Sequence, residues 1–110
     1  MAAGIEHPNV VDLITHNPRT DEYALIMIEN REWNGSPEQL EQLQLKINNY
    51  LIFALDGGLV REYPQSAGCP VRLQLDCVQW PSGQAAQFLD LVSGQLDADY
   101  NIRLVVNVLD

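Results

Sequence analysis

The sequence predicts an α+β fold: a two-layer sandwich in which two helices cover one face of a four-stranded mixed sheet, in the order β-β-α-β-α-β. Four short apolar segments have the spacing of strands, and two longer segments have the three- and four-residue apolar spacing of helices. Each helical segment lies between two strand segments, which is typical of this class. At 110 residues and 46% hydrophobic content, residues 1–110 fit a single domain with one core.

The first two strands form a predicted hairpin. Residues 9–15, NVVDLIT, are rich in β-branched side chains, and the turn-forming segment HNPRTDE with Pro18 follows them. Residues 22–30, EYALIMIEN, form the second strand, which is apolar on both sides. Its alternate positions are Tyr23, Leu25 and Met27 on one face, and Ala24, Ile26 and Ile28 on the other.

The first helix is predicted from its end signals and its periodicity. Ser36 can cap the helix, Pro37 suits the first turn, Gln39 completes a capping box and Gly57 follows the last turn. We expect the side facing the sheet to consist of Leu40, Leu43, Ile47, Tyr50, Leu51 and Ala54, and Leu45, Ile52 and Phe53 to widen this stripe at the more deeply buried C-terminal end. Lys46, like Glu38 and Glu41, is expected mostly off this stripe.

The second half of the chain predicts an irregular segment, a strand, a helix and a strand. Residues 59–70 are expected to be a loop in which LVREY is either a helical turn or a short strand. Residues 71–78 alternate as a strand with one buried face, Ser82 can cap a second helix, and residues 101–110 form the last strand. With both crossovers on one face, strands two to four run parallel in the simplest order 1-2-3-4.

Charge and terminal composition exclude some classes of partner. Fifteen acidic residues oppose six basic ones, and no two basic residues are adjacent, so nucleic acid and anionic membranes are not expected partners. A basic protein remains a candidate. The first nine residues lack a secretory signal pattern and no segment reaches the roughly 18 to 20 apolar residues of a bilayer span, so the expected compartment is cytoplasmic.

The second face of the sheet is the main question that the sequence raises. Two helices cover one face, which leaves the polar residues of strands three and four exposed beside Tyr23, Leu25 and Met27, or beside the complementary positions of strand two. Three covers are open: residues 59–70 or the first ten residues of the chain itself, a symmetric homodimer, or a different protein partner.

Candidate catalytic and metal sites are weak. His7, Asp12 and His16 are near in sequence but do not have the spacing of a structural metal site, and no cofactor motif is present. Asp12 is expected to point outward, with burial as a hydrogen-bond acceptor as the alternative. Cys77 is interpreted as a buried thiol, and it could act as a nucleophile only if His7 or His16 reached it. A disulfide between Cys69 and Cys77 has no support beyond the even count of cysteines.

The segment after strand two is the best candidate for a ligand or partner site. Glu29, Arg31, Trp33 and Asn34 lie where a strand ends and a helix begins, which is where α/β sheets place binding sites, and Trp80 follows the neighbouring strand. Tyr23, Leu25 and Met27 complete the set of candidate interaction residues. The simpler interpretation is a Glu–Arg surface pair with a tryptophan packed over a loop.

Several sequence segments resemble an uncharacterised family of small acidic bacterial proteins, a domain of unknown function. The segments are DLITHNP, DEYALIMIE, REWNGSPEQLEQLQLKINNYL, ALDGGLVREYP and VRLQLDC, and the resemblance extends over roughly residues 5–109. It implies a bacterial, cytosolic origin and assigns no site residues. The sequence therefore favours a non-enzymatic module that self-associates or binds a protein, with a small-molecule binder or enzyme at residues 29–34 as the alternative.

Overall fold

Residues 12–109 are described by the structure, a computed structural model, as a four-stranded sheet with helices on one face. The elements are β1 (Leu13–Asn17), β2 (Glu22–Glu29), α1 (Pro37–Leu55), α2 (Gly58–Glu62), β3 (Val71–Cys77), α3 (Gly83–Tyr100) and β4 (Arg103–Val108). A 3-10 turn at Pro64–Ser66 lies between α2 and β3. The α+β class is confirmed, and LVREY is the helical turn rather than the strand.

The sheet has the strand order β1-β2-β3-β4, as the sequence predicts. β1 pairs with β2 in antiparallel orientation, whereas β2, β3 and β4 are parallel to one another. Parallel neighbours need a crossover connection, which α1 provides between β2 and β3 and α3 provides between β3 and β4. The two crossover helices therefore run parallel to each other, and their N-terminal ends lie at the same edge of the sheet.

The start of α1 has one of the two hydrogen bonds of the predicted capping box. Ser36 accepts the N–H of Gln39 on its side-chain oxygen at 3.2 Å, as expected of an N-cap. The Gln39 side chain does not return to Ser36; instead the Asn34 side chain accepts the Ser36 N–H at 2.9 Å. Gln39 is buried, and its amide donates to the carboxylate of Glu29 at 3.1 Å. The Glu29 carboxylate is itself buried, and a buried acceptor requires hydrogen-bond donors.

The core lies between the sheet and the helices and includes the Tyr23, Leu25 and Met27 face of β2. Leu25 lies beside Leu73, and Met27 lies beside Leu75, and none of these four side chains is measurably exposed. The placement of Tyr23, Leu25 and Met27 on an uncovered face is therefore wrong. The register with β3 aligns them with its apolar positions, so a partner could reach them only by opening the core.

The face of the sheet opposite the helices carries the complementary residues of β2, the alternative left open by the sequence. Ala24, Ile26 and Ile28 lie there, and Ala24 and Ile26 are only 2% and 6% exposed. Residues 59–70 do not cover this face, because Leu59 packs into the core under the helices. The alternative cover, the first ten residues, lies outside the described part of the chain.

Polar side chains bond to one another across this face, which we call the sheet face. Arg72 and Arg103 both donate to the carboxylate of Glu22, at 2.8 and 3.0 Å. Further along the strands, Asp76 accepts from Gln74 at 2.7 Å, and Asn107 donates to the same carboxylate at 3.3 Å. These polar groups hold partners within the sheet itself.

Candidate functional site

Glu29 is a buried carboxylate at the end of β2, and it pairs with the partly exposed side chain of Arg31. The Glu29 side chain has no exposed area, and Arg31 donates to both of its oxygens, from Nε at 2.9 Å and from Nη2 at 2.8 Å. The backbone N–H of Arg31 and the amide of Gln39 also donate to this carboxylate. Four donors leave Glu29 without a free direction for a substrate, so the pair stabilises the β2–α1 connection.

The structure brings Trp33 and Asn34 into the same connection and places Trp80 apart from them. Trp33 donates its indole N–H to the backbone carbonyl of Gln79 at 2.9 Å, which ties the β2–α1 connection to the β3–α3 connection. The Asn34 N–H donates to Gln39 at 3.0 Å. Trp80 is 68% exposed and lines a shallow cleft of about 250 Å³ beside β4 with Pro81, Leu89, Asp90 and Val106.

Cys77 has the properties of an unreactive buried thiol. It is fully buried next to Glu29 in the sheet register, and its Sγ lies 3.7 Å from the Asn107 carbonyl. Burial, reinforced by the nearby negative charges of Asp76 and Glu29, raises the pKa of the Cys77 thiol above its ordinary value. His16 lies at the opposite end of the strands, so it cannot activate this thiol. Both cysteines are free.

Asp12 and Lys46 form a buried ion pair under α1, whereas the sequence predicts that Asp12 points outward and that Lys46 lies off the buried stripe. Asp12 and Lys46, whose side chains have no exposed area, approach to 2.9 Å, and the second Asp12 oxygen accepts the Ile28 N–H. Tyr50 donates to the Ile26 carbonyl at 2.9 Å and accepts the Asp12 N–H. Burial raises the pKa of the Tyr50 phenol well above its ordinary value. Asp12 is thus the buried acceptor, the less favoured alternative.

The helical spacing contains a signal for this cluster. Lys46 lies three residues after Leu43 and four before Tyr50, so it belongs to the buried side of α1 rather than off the stripe. Gln39, four residues before Leu43, belongs to the same side. Lys46 is predicted to lie off the stripe because lysine is charged and seldom buried. A lysine can nevertheless be buried where a buried carboxylate pairs with it.

The proposed ligands of a metal ion do not come together. His16 contacts Asp21 at 3.2 Å within the hairpin, whereas Asp12, at the other end of β1, pairs with Lys46. Within residues 12–109, no three side chains of the ligating types are grouped in a way that could hold a metal ion. His7 lies outside the described residues.

An opening between the two long helices is not predicted by the sequence. A groove of about 450 Å³, which we call the α1–α3 groove, separates the two long helices on the side away from the sheet. Its lining consists of Gln44, Ile47, Asn48, Leu51, Phe88, Val92, Gln95, Leu96, Asp99 and Tyr100. Phe88, Val92 and Leu51 are half-buried, so their outer surfaces remain accessible.

The outer surface of α1 and α3, which we call the helix surface, is both apolar and acidic. Within residues 12–109, five of the ten exposed large apolar residues lie in these two helices: Leu45, Ile52, Leu55, Leu91 and Tyr100. The expectation that Leu45 and Ile52 widen the buried stripe of α1 is therefore wrong. Five acidic residues are also exposed there: Glu38, Glu41, Asp90, Asp97 and Asp99. The single basic residue of these helices, Lys46, is buried. No helix within residues 12–109 has the length and apolarity needed to cross a membrane.

Comparison with known proteins identifies the family but no characterised relative. A search of curated proteins and a search of solved structures gave no significant match. A sequence model described as a family of unknown function, DUF6572, matches residues 3–110. That match extends over nearly the whole chain and agrees with the resemblance of its sequence segments. The chain therefore belongs to the family of unknown function DUF6572.

Proposed function

We propose that this protein is a protein-interaction module and that its docking surface is the helix surface, centred on the α1–α3 groove. The observation that supports this most is that half of the exposed large apolar residues of residues 12–109 lie in these two helices, and that one of them, Tyr100, lines the groove between the helices. Exposed apolar surface costs free energy in water, and exposed apolar residues beside a groove are typical of a protein contact.

The hydrogen bonding at the end of β2 supports a binding role over catalysis. Catalytic groups need access to a substrate and a free proton-transfer direction. Glu29, Arg31, Asn34 and Trp33 instead bond to one another or to the adjacent connections. The Glu29 carboxylate is buried and fully bonded, so an enzyme or small-molecule site at residues 29–34 would depend on the exposed side chains of Arg31 and Asn34, which already bond within this network.

Site-specific photocrosslinking in the cells that naturally produce the chain tests this proposal. A photoreactive residue would replace Ile52 or Leu91 on the helix surface, and Thr15 or Asn107 on the sheet face as matched exposed controls. We expect the same partner protein to be captured from Ile52 and Leu91, and not from Thr15 or Asn107. Capture of that protein from the sheet-face positions alone, or from none of the four, would overturn the proposal.

Self-association through the sheet face is a second candidate, supported by the charges there. The face has two acidic and two basic residues, so it is balanced in a chain of net charge -9. Arg72 and Arg103 lie toward one end of the strands and Asp76 toward the other, so a two-fold stacking of two copies would oppose unlike charges. A crosslinked product of twice the chain mass from Thr15 or Asn107 would support it.

A further inference from the structure

We propose that the occupant of the α1–α3 groove is a basic amphipathic helix belonging to another protein, an inference that rests on the proposed function above. The shape of the groove argues for a helix. Its walls are two α-helices whose backbone groups are already bonded within each helix, so they offer no row of free N–H and C=O groups to an extended peptide. An occupant must bond its own backbone, which a helix does.

The charges argue for a basic occupant. Asp99 lines the groove near the end of α3, and Glu41 lies three residues before the lining residue Gln44, on the same side of α1 near its start. Because the two helices are parallel, these acids lie toward opposite ends of the groove. No exposed basic residue of either helix compensates them. A helix with Lys or Arg at both ends would therefore find an acid near each end.

The same charges argue against a second copy of this chain as the occupant. A symmetric dimer places one surface against itself, so the acids beside the groove, Glu41 and Asp99, would lie in a contact with the same acids of the other copy. Like charges in a contact oppose association, and a protein of net charge -9 repels its own copy at a distance as well.

The dimensions set the length of the occupant. The lining residues of α3, 88–100, extend about 18 Å at 1.5 Å per residue, which corresponds to roughly three helical turns. Half-buried Leu51, Phe88 and Val92 can contact apolar side chains that recur at three- and four-residue spacing on the bound helix. Gln44, Asn48 and Gln95 can bond its polar flanks.

A display library of helical peptides tests the inference with an unbiased choice of charge. The peptides would be about 14 residues long, with leucine fixed at helical spacing and the flanking positions randomised among acidic, basic and neutral residues. The full chain is the bait. We expect the selected peptides to be enriched in Lys and Arg at the flanks, and one of them, as a labelled peptide, to show saturable binding by fluorescence anisotropy.

Charge-reversal variants separate groove binding from general attraction to an acidic protein. Glu41→Lys with Asp99→Lys changes the groove, whereas Asp90→Lys with Asp97→Lys makes the same change of net charge on the β4 side of α3, where Asp90 lines the Trp80 cleft. We expect the first pair to weaken binding of the selected peptide about tenfold and the second pair less than about threefold.

The other outcomes of these experiments distinguish failure of the basic-helix inference from failure of the proposed function. Equal weakening by both pairs of reversals, acidic or neutral flanks in the selected peptides, or no selected helical peptide at all would overturn the basic-helix inference. If the inference fails while Ile52 and Leu91 still crosslink to a partner, the proposed function stands with a different occupant. Loss of those crosslinks would remove both.

Discussion

The two outer surfaces of this protein differ in the way that their apolar side chains are handled. The sheet face has aliphatic residues in its second strand, but Ala24 and Ile26 are nearly buried and the surrounding polar groups bond across the strands. The helix surface has a groove and leaves Ile52 and Leu91 48% and 70% exposed. The difference shows that the exposed apolar area follows from packing and not from the sequence pattern alone, because a strand that is apolar on both sides, such as β2, can have nearly buried side chains on both faces.

The largest expected effect tests which face of β2 is the core. We expect Met27→Glu to lower the free energy of unfolding by more than about 4 kcal/mol, since it buries an unpaired charge among apolar side chains. Ile28→Glu, one residue later on the sheet face, should cost less than about 1.5 kcal/mol. Urea unfolding measures both, and a larger loss for Ile28→Glu would mean that the faces are reversed.

The next largest loss of stability is expected from removing the cation of the buried ion pair under the helices, compared with that of an ion pair on the sheet face. Lys46→Ala leaves the Asp12 carboxylate buried without its cation, so we expect a loss of about 3 kcal/mol in unfolding free energy. Arg103→Ala removes a side chain that is 62% exposed and leaves Glu22 bonded to Arg72, so the loss should stay below about 1 kcal/mol. Thermal or urea unfolding that gave equal losses would contradict the difference in burial.

The pH dependence of stability at alkaline pH reports on the buried Tyr50 phenol under α1. Its pKa is raised above the ordinary value of 10.0 by burial, so above about pH 10 the unfolded chain loses the phenolic proton while the folded chain keeps it. The stabilisation is complete below that pH and declines as pH rises, by up to about 1.4 kcal/mol per pH unit. Tyr50→Phe should show a shallower decline. Parallel pH profiles of urea unfolding for the two proteins would contradict this.

The smallest effect on stability is expected on the helix surface itself. Ile52→Ser combined with Leu91→Ser should change the free energy of unfolding by less than about 1 kcal/mol per site, because these residues are already 48% and 70% exposed. The pair should nevertheless reduce the fluorescence of an added apolar dye more than Leu13→Ser with Val105→Ser on the sheet face, where Leu13 is exposed and Val105 is half-buried. A greater reduction from the sheet-face pair would reverse the comparison.

The sequence predicts the architecture because its signals are local. Ser36, Pro37 and Gly57 mark the ends of α1, and the clean alternation of residues 71–77 marks a strand with one buried face. The face of β2 that is buried could not be predicted, since both faces are apolar and only the register with β3 decides between them.

The candidate site depended on information that is not local. The bonds of Glu29 to Gln39 and of Trp33 to Gln79 depend on how two connections meet in space. The α1–α3 groove depends on the separation of two helices that are packed on different strands. Periodicity marks the inner side of each helix but not the distance to the next one.

The accessibility of isoleucine methyl groups tests the central claim most directly, because both surfaces contain this residue. In a methyl NMR spectrum with a soluble nitroxide added, we expect the Ile52 signal on the helix surface to relax several times faster than the Ile26 signal on the sheet face. Those residues are 48% and 6% exposed. Equal relaxation of the two signals, or faster relaxation of Ile26, would show that the accessible apolar surface lies on the sheet and would contradict the account.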